Sequence, residues 1–180
     1  EDGGNGSSIE GTAFGNQMAV AATNQTSDAY TLGKIASSEG KAVGVNFGFS
    51  PVVDLDLNFR NPITNVRTYG SDVERVIKNA KEYIQAFHDN GIMTSIKHFP
   101  GDGVDERDQH LLTSINSLSV DNWKKTFGKV YQELIDFGSK AVMVGHIAFP
   151  AYSGDEMPAT LSPQLLQDLL RNELGFNGLR

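Results

Sequence analysis

Met93-Thr94-Ser95-Ile96-Lys97-His98-Phe99-Pro100-Gly101-Asp102-Gly103, closed by Asp108-Gln109-His110, joins a strand end to a loop that carries a carboxylate beside an imidazole. The run from Met93 to Ile96 is short and partly β-branched, and it reads as a strand. Pro100 and the flanking glycines end it, because proline cannot donate to a sheet ladder. Lys97 and His98 are therefore expected at the carboxyl end of the strand, where α/β proteins build their sites. Between Gly101 and His110 the side chains are mostly charged or polar, so the segment is expected to stay out of the core as a mobile loop. Asp108 and His110 stand two apart and reach each other in an extended or turned loop. A carboxylate that orients an imidazole fixes its tautomer, which suits a group that gives and takes a proton near neutral pH.

On either side of this stretch, helical and strand patterns alternate. Ser27 reads as the cap of a helix running towards Glu39, with Leu32, Ile35 and Ala36 on one face, and Val43 to Phe49 reads as a strand leading into Pro51. Ser71-Asp72-Val73-Glu74 is a capping-box pattern opening a helix with Val73, Val76, Ile77, Ala80, Tyr83, Ile84 and Phe87 at helical spacing, closed by Asn90-Gly91 before a strand from Ile92 to Ile96. A third helix carries Trp123, Phe127, Val130, Tyr131, Leu134 and Ile135, ends at Gly138 and precedes a strand from Ala141 to Val144. Ser162-Pro163 reads as N-cap and first residue of a last helix, whose stripe of Leu165, Leu166, Leu169, Leu170 and Leu174 is packing. Such alternation implies a parallel sheet with right-handed crossovers. Asp54 after Pro51-Val52-Val53, Lys97-His98 and Gly145-His146 then share one rim, and Arg67 reaches it from a loop.

Lys97 to Gly103 with Asp108 and His110 resembles the signature of family 3 glycoside hydrolases, specifically the β-N-acetylhexosaminidase branch. Gly11-Thr12-Ala13-Phe14, Met18 to Thr23, Ser50-Pro51-Val52-Val53-Asp54, Asn61-Pro62, Arg67 to Asp72, Pro158 to Ser162 and Glu173 to Gly178 follow in the order of that family, so the likeness spans essentially the whole chain. It implies an α/β fold, a TIM-type (β/α)8 barrel, and an exo-acting retaining enzyme that releases terminal β-linked N-acetylglucosamine through a glycosyl-enzyme intermediate. It also implies that His110 is the general acid/base and Asp108 its orienting partner. Lys97, His98 and Arg67 match positions that bind sugar hydroxyls, a role for which the planar fork of arginine supplies directional donors. Asp54 matches an aspartate that supports the site, and His146 either lines the pocket or serves the structure. Asp102 stands where the family commonly has histidine, which alters local loop contacts and leaves the dyad intact.

A retaining glycosidase also needs a carboxylate nucleophile about 5 Å from its acid/base group. The resemblance places that aspartate just after the Gly-Phe-x-Gly turn, beyond Leu179-Arg180, while Glu1-Asp2-Gly3-Gly4 resembles the tail of an acidic-Gly-Gly segment. With 180 residues against the ~250 of a complete barrel, residues 1–180 are expected to be one incomplete, internal part of a single barrel domain, inactive in isolation.

An apolar content of 39% suits a globular core, and a net charge of −7 disfavours nucleic acid and anionic membranes as partners. The partner expected is a carbohydrate. Zero cysteines exclude disulfides and thiolate metal sites and leave the compartment open, and no apolar run approaches a membrane span. No cofactor is expected. Three alternatives stand beside the hexosaminidase reading: a β-glucosidase of the same family, a barrel hydrolase holding a divalent metal through His98, Asp102, Asp105, Asp108 and His110, and a catalytically silent carbohydrate-binding segment.

Overall fold

The computed structural model describes residues 11–180, so the expectation for Glu1 to Gly4 lies outside the described residues. In chain order the elements are α1 (Gln17–Ala22), α2 (Thr26–Ala42), β1 (Phe47–Gly48), a 3-10 turn (Asn65–Arg67), α3 (Val73–Asp89), β2 (Met93–Phe99), β3 (Ser114–Ile115), α4 (Val120–Lys125), α5 (Phe127–Phe137), β4 (Ala141–Val144), β5 (Ile147–Ala148), α6 (Pro150–Ser153) and a wide final helix, α7 (Gln164–Glu173).

β2 is the axis of the molecule. It is buried from Thr94 to Phe99, the pattern of a central parallel strand covered on both faces. β1 and β4 flank it in parallel, with Phe47 beside Met93 and Ser95 beside Ala141. Single parallel bridges, Val52 to Lys97 and Ala141 to Leu179, continue the sheet on both sides. α3 connects β1 to β2, and α4 with α5 connects β2 to β4, so the expected alternation holds. Among the described residues the sheet stays open and does not close into a barrel.

The helices cover the sheet through the apolar stripes legible in the sequence. α3 buries Val76, Ile77, Ala80, Tyr83, Ile84 and Phe87, and α5 buries Phe127, Val130, Tyr131 and Leu134. Each large apolar side chain so withdrawn contributes roughly 1.5–3 kcal/mol before entropy is counted. Aromatic rings gather under the end of β2: Phe99 meets Tyr131 edge-on at 5.2 Å, and Trp123 leans on Phe149 at 5.4 Å. Trp123 Nε1 donates to the Pro100 carbonyl at 2.7 Å, which ties α4 to the base of the loop that follows β2.

Several local expectations need correction. The residue that caps α3 is Asp72, whose carboxylate accepts from Arg75 N at 2.8 Å, so Ser71 is one position too early. α2 starts at Thr26 with no side-chain cap and runs past Glu39 to Ala42, and Val43, expected to open a strand, is instead its C-cap and 79% exposed. Only Phe47–Gly48 remains as strand. β2 runs past Ile96 to Phe99, carrying Lys97 and His98 inside it. The Trp123 helix is two helices broken at Thr126, with Ser119 capping the first.

Candidate active site

The segment after β2 is not the loose loop its polarity suggests. Asp102 is 1% and Gln109 6% exposed, because the loop folds its polar side chains inward onto partners. Gly103 shows why the turn is possible: its φ is +101°, and a Cβ there would lie 2.0 Å from the Leu55 carbonyl oxygen. The Gly103 carbonyl in turn accepts from Leu57 N and Asn58 N at 3.1 and 2.9 Å. The loop is thereby pinned to the segment that follows Asp54.

Asp54, fully buried, accepts at Oδ1 from His98 N at 3.0 Å and from Asp102 N at 2.8 Å. Its Oδ2 lies 2.6 Å from His98 Nδ1. One carboxylate thus fixes the ring and backbone of His98 together with the start of the loop. The backbone of Lys97 is joined to the same segment through Val53 N, which donates to the Lys97 carbonyl at 2.8 Å. Thr68 Oγ1 donates to the Asp54 carbonyl, which brings the neighbouring Arg67 to this side of the sheet; Arg67 NH1 also donates to the Ile63 carbonyl at 2.9 Å.

Asp102 is the second buried carboxylate. Its Oδ1 accepts from Asn61 Nδ2 at 2.8 Å and from Gly103 N at 2.7 Å, and its Oδ2 accepts from Gln109 Nε2 at 2.7 Å. Burial, and then the neighbouring charge of Asp54, push its pKa above the ordinary value of 3.8. Asn61 is a junction that sequence reading did not single out for chemistry. Its Oδ1 caps the Arg67 turn through Ile63 N and Thr64 N, while its amide reaches Asp102 and the Asp105 carbonyl. The visible signal was an asparagine before proline and threonine, the composition of a side-chain-closed turn.

Asp108 and His110 meet as their spacing suggests. Asp108 Oδ1 accepts from His110 N at 2.9 Å and lies 2.7 Å from His110 Nδ1. The backbone amide and then the ring of His110 hold the Asp108 carboxyl below its ordinary range. A carboxylate acceptor at Nδ1 requires a proton there, so Nε2 is the nitrogen left to exchange a proton. The imidazole is 66% exposed and faces outward from the loop. His146, just past β4, donates its backbone N–H to Gln109 Oε1 at 3.0 Å, and its ring lies 3.0 Å from Thr160 Oγ1.

Asp54, His98 and the His146 amide are therefore joined through one web of hydrogen bonds with Asn61, Asp102 and Gln109 as its nodes; Lys97 and Arg67 meet it through backbone carbonyls, and the Asp108–His110 pair is attached to it through the backbone of Gln109. Among the described residues, no group of three or more His, Cys, Asp or Glu side chains is arranged to hold a metal ion, and no helix is long and apolar enough to cross a membrane.

Comparison with known proteins follows the same outline. Residues 1–179 match the model of the family described as the glycosyl hydrolase family 3 N terminal domain. The chain is 50% identical over 179 residues to the beta-N-acetylglucosaminidase/beta-glucosidase of Cellulomonas fimi, covering 94% of this chain and 32% of that protein. Among solved structures it is similar to a glycoside hydrolase family 3 beta-N-acetylglucosaminidase from Paenibacillus sp. str. FPU-7, with a TM-score of 0.95 and 34% identity over 99% of this chain and 35% of the other. It is also similar to a beta-glucoside phosphorylase bound to 2FGlc, with a TM-score of 0.94 and 48% identity over 96% of this chain and 32% of the other. The chain spans about a third of the length of these relatives.

Proposed function

The chain belongs to glycosyl hydrolase family 3, as a match to its N-terminal, TIM-barrel-type domain over residues 1–179, and from that premise we propose that the protein is an exo-acting, retaining β-N-acetylglucosaminidase. The 180 residues are read as consecutive β/α units of a single (β/α)8 barrel domain. The substrate is a terminal β-linked N-acetylglucosaminide, such as one derived from cell wall, and the chemistry needs no metal.

The observation that carries this reading is the Asp108–His110 pair, held at 2.7 Å on a loop anchored to the carboxyl end of β2. In the first step a carboxylate nucleophile attacks the anomeric carbon as the glycosidic C–O bond breaks. The leaving oxygen takes the proton from His110 Nε2. In the second step His110 Nε2 removes a proton from water, whose oxygen forms the new bond to the anomeric carbon and releases the carboxylate. Asp108, whose carboxyl the amide and ring of His110 hold below its ordinary range, stabilises the imidazolium form and accepts the proton on Nδ1 in a hydrogen bond. Lys97, His98 and Arg67 bind sugar hydroxyls, Asp54 holds His98, and His146 borders the pocket.

A second acceptor is favoured by one finding, the 48% identity to a protein named a beta-glucoside phosphorylase. An imidazole acting as base is neutral, so it does not repel a phosphate dianion as a carboxylate base would. Phosphate then replaces water in the second step, and the sugar leaves as its 1-phosphate.

The test is turnover of 4-nitrophenyl β-N-acetylglucosaminide and β-glucoside by the intact protein, with and without inorganic phosphate, with chelator, and with His110→Ala. Chelator-resistant cleavage of the first substrate that collapses in the variant is the expected result, and the product, free sugar or sugar phosphate, names the acceptor. Chelator-sensitive cleavage, or none, overturns the reading.

A further inference from the structure

Gln109 lies between the two dyad residues, yet its side chain turns the opposite way, into the protein. It is 6% exposed, an unusual place for a carboxamide on a loop. Both of its ends are used. Nε2 donates to Asp102 Oδ2 at 2.7 Å, and Oε1 accepts from His146 N at 3.0 Å. The polarity allows only this orientation, since a carboxylate accepts and a backbone N–H donates.

The surroundings are shaped for that oxygen. Gly145 lies directly beneath it, and a Cβ at Gly145 would stand 2.6 Å from Gln109 Oε1, closer than any contact there permits. On the other side Asp102 is aimed at the amide by Asn61 Nδ2 and Gly103 N, which occupy its other oxygen. One side chain therefore spans from the root of the loop to His146, two residues past β4, and its own backbone carries Asp108 on one side and His110 on the other.

We propose that Gln109 is a positioning residue for proton transfer, a buried two-ended clamp between Asp102 and the His146 amide that sets the height and direction of the Asp108–His110 pair above the strand ends. This rests on the acid/base assignment of His110. With the clamp, the exposed imidazole is delivered to the leaving oxygen from a fixed base. Without it, the segment from 104 to 110 keeps its ties to Asn58 and Asn61 near its start and loses its hold beside the dyad. A misplacement of about 1 Å at a reacting group costs on the order of 10²-fold in rate.

The experiment compares aryl β-N-acetylglucosaminides that need protonation of the leaving group with those that do not, using the intact protein. kcat/KM is measured for the phenyl and the 2,4-dinitrophenyl glycosides with wild type, Gln109→Ala, Gln109→Met and His110→Ala. Methionine keeps the length and apolar volume of glutamine without its polar ends, so it reports on the clamp should alanine fold poorly. The expected result is a fall of about 10²-fold on the phenyl glycoside in both Gln109 variants, with the dinitrophenyl glycoside changed less than about threefold, because a good leaving group requires no proton. The first bond cleavage is common to water and phosphate as acceptors, so the ratio is independent of which is used. Equal losses on both substrates in the Gln109 variants, or no loss, while His110→Ala discriminates strongly, overturn the clamp alone. A His110→Ala enzyme that fails to discriminate overturns the acid/base assignment and the clamp with it.

Discussion

The Oδ2 of Asp54 lies 2.6 Å from Nδ1 of His98, with the carboxylate fully buried and the imidazole almost so. The same carboxylate accepts two further backbone N–H groups, those of His98 and Asp102. Removing it leaves three groups without the partner they share. An unsatisfied buried polar group costs about 1–3 kcal/mol. Asp54→Ala is therefore expected to lose about 3 kcal/mol or more of stability, several such groups being left at once, with Asp54→Asn losing less. Urea unfolding of both variants checks this, and a change below 1 kcal/mol in Asp54→Ala would show that the web is not what holds the strand end.

How far the sequence foretold this arrangement depends on the kind of interaction. Apolar periodicity located the cores of α3 and α5 correctly, because burial of a stripe such as Val76, Ile77, Ala80 and Ile84 depends on local spacing alone. The strand β2 and the dyad were legible for the same reason: Pro100 and the two-residue spacing of Asp108 and His110 act locally. The loop was misjudged because composition reports how polar a segment is and not where its partners lie. Asp102, Asn61 and Gln109 are polar residues that reach partners 7, 37 and 41 positions away. Val43 and Val45 misled in the other direction: they look like strand, but α2 continues to Ala42 and leaves both exposed.

Asp102 makes stability fall as pH rises. Its raised pKa means that the folded state holds the proton more tightly than the unfolded chain does. Its contribution is complete below the ordinary value of 3.8 and is lost as pH climbs through the higher folded value. Asp102→Asn removes this dependence, so the unfolding free energy of the variant relative to wild type is expected to increase between pH 4 and pH 7. The same substitution turns an N–H donor toward an amide, Asn61 or Gln109, that also donates, so activity is expected to fall even where stability gains. Denaturant titrations at stepped pH measure the first effect; a difference that is flat with pH would refute it.

Asp108 has the opposite sign. Its carboxyl is held below the ordinary range, so the hydrogen bonds it accepts from the amide and ring of His110 contribute above that range and are lost only as pH falls beneath 3.8. An acidic limb of the rate profile above pH 4 then belongs to a group other than Asp108, in this reading the nucleophile. Asp108→Asn is expected to retain the acidic limb while kcat/KM for 4-nitrophenyl β-N-acetylglucosaminide drops about 10²-fold. A profile flat from pH 5 to 9 in the wild type, or an acidic limb that disappears in the variant, would count against these assignments.

Gly103 sets the path of the whole loop, and its replacement tests whether that path is needed. Any side chain at φ +101° is strained by about 1–3 kcal/mol. Here the Cβ would also meet the Leu55 carbonyl oxygen at 2.0 Å, a backbone atom that cannot step aside as a flexible side chain would. Relief requires the loop to lift away from Leu55, which breaks the bonds from Leu57 N and Asn58 N to the Gly103 carbonyl and pulls Asp102 from Asn61. Gly103→Ala is therefore expected to be destabilised by more than about 3 kcal/mol, beyond the usual range for a single substitution. Amide exchange should rise first at Gly103 and Asp102, which are tied to the segment after Asp54, and only later at Ile96 in the strand. Unfolding measured by denaturant together with exchange at those amides checks the order; a variant with wild-type stability would mean that the turn has an alternative path that avoids Leu55.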